Sequence, residues 1–218
     1  WFVLIVSIAV IISSCGSSEE DATTSTVTST TSSDDNSSDD DSSDNDSSTS
    51  DDSSSTTELE GTWKTACYPN SNNSSFSEKA TLTFAGNVLT VKNEKHSDTS
   101  CTTDYRLTEE SHTFSIGDAV IFSDGKTGHK FTVTIGSTQK RTPQSASAVS
   151  NYNSVSKCSA SDWELNTEKE CSIDDAGDTV YCLYQLDGNY LYPSCDSSST
   201  PSTSSVNTDN ASNTYVKQ

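Results

Sequence analysis

Six cysteines, Cys67, Cys101, Cys158, Cys171, Cys182 and Cys195, are confined to the segment from Glu58 to Cys195. An even set in a small exported domain reads as three disulfides formed in an oxidising compartment, such as a periplasm or a cell surface. Metal binding is a poorer use for them. Structural zinc sites draw on cysteine pairs roughly two to four residues apart, whereas successive cysteines here are 34, 57, 13, 11 and 13 residues apart. Neither a metal site nor a cofactor is expected.

The rest of the 218-residue chain leaves room for one folded unit. Residues 1–14, WFVLIVSIAVIISS, are almost wholly apolar, and residues 196–218 are polar. Of the 41 residues from Ser17 to Thr57, 25 are Ser or Thr and 12 are Asp or Glu. Segments of this kind bury too little apolar surface to offset their ordering entropy. Residues 15–57 therefore read as a disordered acidic tether and 196–218 as a disordered tail, flanking a disulfide-stapled domain at 58–195. The tether alone supplies -12 of the net charge of -20. With no basic stripe to release counterions from phosphates, nucleic acid is excluded as a partner.

Within the domain, short alternating runs separated by turn signals point to antiparallel β-structure. Around Gly86-Asn87, a two-residue turn sets Phe84 opposite Leu89 and Leu82 opposite Val91, with Thr83 and Thr90 on the other face. A second hairpin spans Val180 to Cys195 and is expected to turn at Asp187-Gly188. Val180, Cys182, Tyr184, Leu186, Leu191 and Cys195 then share one face, and Tyr181, Leu183, Tyr190 and Tyr192 the other. Further strands are expected at Gly61 to Cys67, His112 to Ile116, Ala119 to Phe122 and His129 to Ile135, with a turn at Asp124-Gly125. Ala160 to Glu170 is the one segment with room for a short helix. Seven or eight strands in this length fit an all-β fold, a small antiparallel barrel or sandwich, and barrel closure would remove exposed edges.

Fifteen pairings of six cysteines are open on sequence alone. Strand positions favour the sequential set. Cys67 ends the first strand and Cys101 follows the first hairpin, and Cys158 with Cys171 and Cys182 with Cys195 complete it. With the turn at Asp187-Gly188, Cys182 faces Pro193 and Cys195 is a diagonal neighbour at about 7 to 8 Å, so that bridge would require a bulge at Pro193.

Gly61-Thr62-Trp63 resembles the G-x-W opening of the first lipocalin strand, and Leu186-Asp187-Gly188-Asn189 resembles a late hairpin turn of such domains. The resemblance implies a lipocalin-like barrel with Trp63 plugging one end. Thr103-Asp104-Tyr105 spells the family's second motif but stands too early in the chain for that role. The match is short and carries no ligand pocket with it.

The apolar opening is too short to span a hydrocarbon core, which takes about 20 apolar residues, and matches the apolar region of a signal peptide that begins before residue 1. Ile12-Ser13-Ser14-Cys15 then resembles the bacterial lipobox. The resemblance implies cleavage before Cys15, a diacylglycerol thioether on its sulfur and often an N-acyl chain, a durable anchor because two or more chains hold stably. Gly16, in place of the Asp of the enteric inner-membrane retention signal, favours the outer membrane. The protein is thus expected in the cell envelope, with the membrane as partner through Cys15. As a flexible coil the tether spans about 35 Å and charge repulsion extends it further. Its Asp clusters lack the glycine turn and terminal Glu of an EF-hand loop, so no specific calcium site is expected there.

No catalytic motif is present, neither H-E-x-x-H, G-x-S-x-G, a Walker loop nor a dinucleotide fingerprint, and His96, His112 and His129 fall in separate strands or turns. The chain is not expected to be an enzyme. Two function classes stay open. The first is a displayed binding module for an unknown surface ligand or protein, using either an internal cavity or an outer face such as Tyr181, Tyr190 and Tyr192. The second is a structural or adhesive envelope lipoprotein with no small-molecule ligand. An apolar cavity of several hundred cubic ångströms, on the order of known ligand pockets, would mark an internal site. A barrel filled by Trp63, Phe84, Phe114, Phe122 and Phe131 would mark the second class.

Overall fold

The computed structural model describes residues 57–196, 199, 201 and 211–218. Their strands are β1 (Gly61–Thr65), β2 (Tyr68–Pro69), β3 (Ser77–Ala85), β4 (Val88–His96), β5 (Asp104–Ile121), β6 (Thr127–Thr134), β7 (Thr138–Pro143), β8 (Lys169–Ser172), β9 (Thr179–Asp187), β10 (Tyr190–Asp196) and β11 (Tyr215–Lys217). One helix, α1 (Ala146–Ser154), and a 3-10 turn at Lys157–Ser159 separate β7 from β8. Eight strands close into an antiparallel barrel in the order β1, β3, β4, β5, β6, β9, β10, β11 and back to β1. The all-β expectation holds, and of barrel and sandwich the chain builds the barrel.

The β3–β4 hairpin has the register that its alternation dictates. Phe84 pairs with Leu89, Leu82 with Val91 and Thr83 with Thr90, and Gly86 takes the positive φ of +60° at the turn. The β5–β6 turn lies at the expected Asp124-Gly125, where Gly125 N-H donates to the Phe122 carbonyl at 2.9 Å. The two strands expected at His112 to Ile116 and Ala119 to Phe122 are one. β5 runs through both, with an irregularity in its pairing to β6 between Ile116 and Ala119.

Three readings need correction. The β9–β10 turn is at Gly188-Asn189, one residue later than expected, so Asp187 pairs with Tyr190 and Cys182 stands directly opposite Cys195. No bulge is needed for that bridge. The short helix is not in Ala160 to Glu170 but at Ala146–Ser154, where the Ser145 hydroxyl caps it by accepting from Ala148 N at 3.1 Å. The end of the tail is not disordered. Tyr215–Lys217 pairs with β1 on one side and β10 on the other, closing the barrel. The physical reason is that β1 and β10 would otherwise face each other as open edges.

Inward-facing residues form one core that includes Trp63, Leu82, Phe84, Leu89, Val91, Phe114, Phe131, Val133, Val180, Tyr184, Leu191 and Tyr215. Phe84 and Phe114 meet edge to face with centroids 5.1 Å apart. Each such side chain contributes about 1.5 to 3 kcal/mol by leaving water. Trp63 is buried, its indole N-H donates to the Leu59 carbonyl at 2.7 Å, and the Lys217 ammonium lies 5.0 Å from its ring centroid. The resemblance-derived Trp is thereby tied to the closing strand. A smaller cluster of Tyr152, Trp163 and Cys171 lies outside the main core, where α1 packs on β7.

Candidate functional site

All three sequential disulfides are present, Cys67–Cys101, Cys158–Cys171 and Cys182–Cys195, with Cα separations of 5.9, 5.2 and 4.0 Å. The first links the segment after β1 to the loop before β5. The second fastens the 3-10 turn to β8, and the third crosses the β9–β10 hairpin. Cys15, the acidic tether and the apolar opening lie outside the described residues.

The barrel interior offers little free space. A cavity of about 30 Å³ is lined by Leu82, Phe84, Val91, Glu110, His112 and the Cys182–Cys195 bridge, among others. That is room for a water or two, since one water needs about 10 to 15 Å³ on this measure. All five side chains that would mark a filled barrel, Trp63, Phe84, Phe114, Phe122 and Phe131, are buried.

Within this apolar space stand two polar side chains that the sequence pattern of β5 does not mark as inward. Glu110 and His112 are both 3 % exposed and alternate inward on β5, with His112 Nε2 3.5 Å from Glu110 Oε2. Gly136 N-H donates to His112 Nδ1 at 3.1 Å, so Nδ1 is an acceptor and a ring proton resides on Nε2, toward Glu110. The other histidines have separate carboxylate neighbours, His96 with Asp104 at 3.2 Å and His129 with Glu58 at 3.8 Å. Glu58 also accepts from the Tyr184 hydroxyl at 2.7 Å. Burial, and then that hydrogen bond, push the Tyr184 phenol well above its ordinary range. Among the described residues no group of three or more His, Cys, Asp or Glu is arranged to hold a metal ion.

The three tyrosines do share the outward face, but they do not form one platform. Tyr190 and Tyr192 stack with centroids 6.3 Å apart. Tyr181 is four residues along β9 from Gln185, the partner of Tyr192, which places it about 13 Å away. Tyr190 is 46 % exposed, whereas Tyr192 is 9 % exposed and the neighbouring Leu183 and Gln185 are buried. Tyr192 is thus a covered structural side chain more than a contact surface.

No protein-family model matches the chain, and no curated protein matches it. The class that the structure defines is an eight-stranded antiparallel barrel, consistent with a lipocalin-like barrel and stapled by three disulfides. No helix among the described residues is long and apolar enough to cross a membrane.

Proposed function

We propose that this chain is an envelope lipoprotein, anchored through lipid on Cys15, that displays a filled β-barrel on an acidic tether and works through the outside of that barrel. The observation that carries this reading is the packed interior. A cavity of about 30 Å³ is an order of magnitude below the roughly 300 to 1,000 Å³ of a ligand pocket. Of the two classes open from sequence, this favours the structural or adhesive lipoprotein over a carrier with an internal site. The resemblance of Ile12-Ser13-Ser14-Cys15 to a lipobox and the three disulfides support an extracytoplasmic setting.

Titration of the full chain with a long-chain fatty acid and with a polarity-sensitive apolar dye tests the reading. No saturable binding is expected. One-to-one binding in the micromolar range would show that the barrel opens to hold a ligand, and the carrier reading would replace this one.

A further inference from the structure

Between Glu58 and Cys195 lie 11 Lys or Arg and 18 Asp or Glu, so carboxylates outnumber cations and every cation has an ample supply of partners. Lys92, Lys126, Lys130, Lys140 and Lys169 each lie within ion-pair distance of a carboxylate. Four others are gathered together instead. Lys95 on β4 is directly opposite Arg106 on β5. Arg106 faces Pro143 while Arg141 faces Thr108, so the two arginines are diagonal neighbours on the same sheet face. The 3-10 turn beyond α1 brings Lys157 within electrostatic reach of both. Among the described residues none of these four forms an ion pair.

Arg141 is 3 % exposed and its Nε has no hydrogen-bond partner, and the buried hydroxyl of Tyr152 lies beside its guanidinium. A guanidinium does not shed its proton in a protein, so a buried positive charge stands here without an ion pair, with Glu110 acting on it only through space. Three carboxylates act on the cluster through space, Glu110 on Arg141, Glu78 on Lys95 and Asp174 on Lys157, and none forms an ion pair with it. Glu110 faces His112 at 3.5 Å, Glu78 accepts from Asn70 Nδ2 at 2.6 Å, and Asp174 reaches only the Lys157 side. Burial lowers the proton affinity of Arg141, Lys157 and Lys95, and the mutual repulsion with Arg106 adds to it. Lys95, Arg106 and Lys157 are only partly buried, which leaves the cluster open to solvent and to a small ion.

We propose that Arg106, Arg141, Lys157 and the Tyr152 hydroxyl form a binding site for a small tetrahedral oxyanion, phosphate or a phosphate monoester. Two guanidinium forks, an ammonium and a phenolic donor supply the charge and donors that such a group takes, and Arg binds it through paired N-H donors. Arg106 and Arg141 share the inward strand face of Glu110, which lines the small cavity, and the site does not depend on the anchor.

Calorimetric titration of the full chain at low salt tests it, with inorganic phosphate in one arm and glycerol phosphate in the other. One-site binding in either arm is expected, and the tighter arm identifies the source. Arg106→Gln, at a partly buried position outside both hydrophobic clusters, should weaken that binding about tenfold or more while its melting temperature without ligand stays near that of the parent. Lys157→Ala should do the same to a smaller degree. No saturable heat in the millimolar range with either anion, or unchanged affinity in Arg106→Gln, would overturn the proposal.

Discussion

Cys182 and Cys195 stand directly opposite each other across β9 and β10, their Cα atoms 4.0 Å apart, and the bridge between them lines the small cavity inside the barrel. The bridge pins the hairpin that carries Tyr184 and Leu191 into the core. In the chain-entropy account, closing this 13-residue separation stabilises by about 3 kcal/mol, and the 34-residue separation of Cys67–Cys101 by about 4 kcal/mol. Denaturant unfolding of the Cys182→Ala/Cys195→Ala and Cys67→Ala/Cys101→Ala variants should show losses in that order. Equal stability of either variant and the parent would mean that the bridges are incidental.

Tyr215 is fully buried on the three-residue strand that closes the barrel, between β1 and β10. Tyr215→Ala should cost about 3 to 5 kcal/mol, the range for removing a large buried ring. Hydrogen exchange should also quicken at the amides of Lys64 and Leu191, which face β11 from either side. Protection unchanged at both would show that β11 does not close the barrel in solution.

Trp63 contributes both volume and a buried hydrogen bond to Leu59. Trp63→Phe keeps most of the ring and loses that bond, so a loss of about 1 to 3 kcal/mol is expected, against about 3 to 5 kcal/mol for Trp63→Ala. Urea midpoints of the two variants read this difference directly.

Replacing the two stacked tyrosines separates surface from structure. Tyr190→Ala should leave the melting temperature nearly unchanged, because almost half of the side chain is exposed, whereas Tyr192→Ala should lower it by several degrees. The reverse order would restore the outward tyrosines as a contact surface.

Asp98 organises the loop that carries Cys101. Hydrogen bonds from the Thr102 hydroxyl at 2.7 Å, from Thr103, and from the backbone amides of Ser100 and Thr102 hold its carboxyl well below the usual range. A depressed acid stabilises the fold above its unfolded pKa of about 3.9 and loses that contribution as pH falls through the native value. The Asp98 carboxylate signal followed by NMR should still be ionised at pH 3. Titration near pH 4 would show that the loop is open.

Much of the barrel was legible because its hairpins alternate. Gly86-Asn87 had one register that buries Leu82, Phe84, Leu89 and Val91 together. At the second hairpin Asp187-Gly188 and Gly188-Asn189 are both sound turns, and moving the turn by one residue shifts each partner by two. That shift leaves every side chain on the same face, so the apolar pattern could not tell the registers apart. β7 was hidden because its inward positions are Gln139, Arg141 and Pro143, and β11 because three residues carry no period. The cationic cluster was hidden for the same reason as β7. Strand pairing alone unites Lys95, Arg106 and Arg141, which are far apart in sequence, and Lys157 joins them from the 3-10 turn.

The central claim, a barrel held at a membrane by Cys15 and not by its own surface, is tested most directly by detergent-phase partitioning of the full chain expressed in a bacterium that processes lipoproteins. The parent should enter the detergent phase with a mass increment of a diacylglycerol on the Cys15 peptide, and Cys15→Ser should stay in the aqueous phase with the barrel intact. A Cys15→Ser chain that still partitions into detergent, or a parent with an unmodified Cys15, would contradict the account.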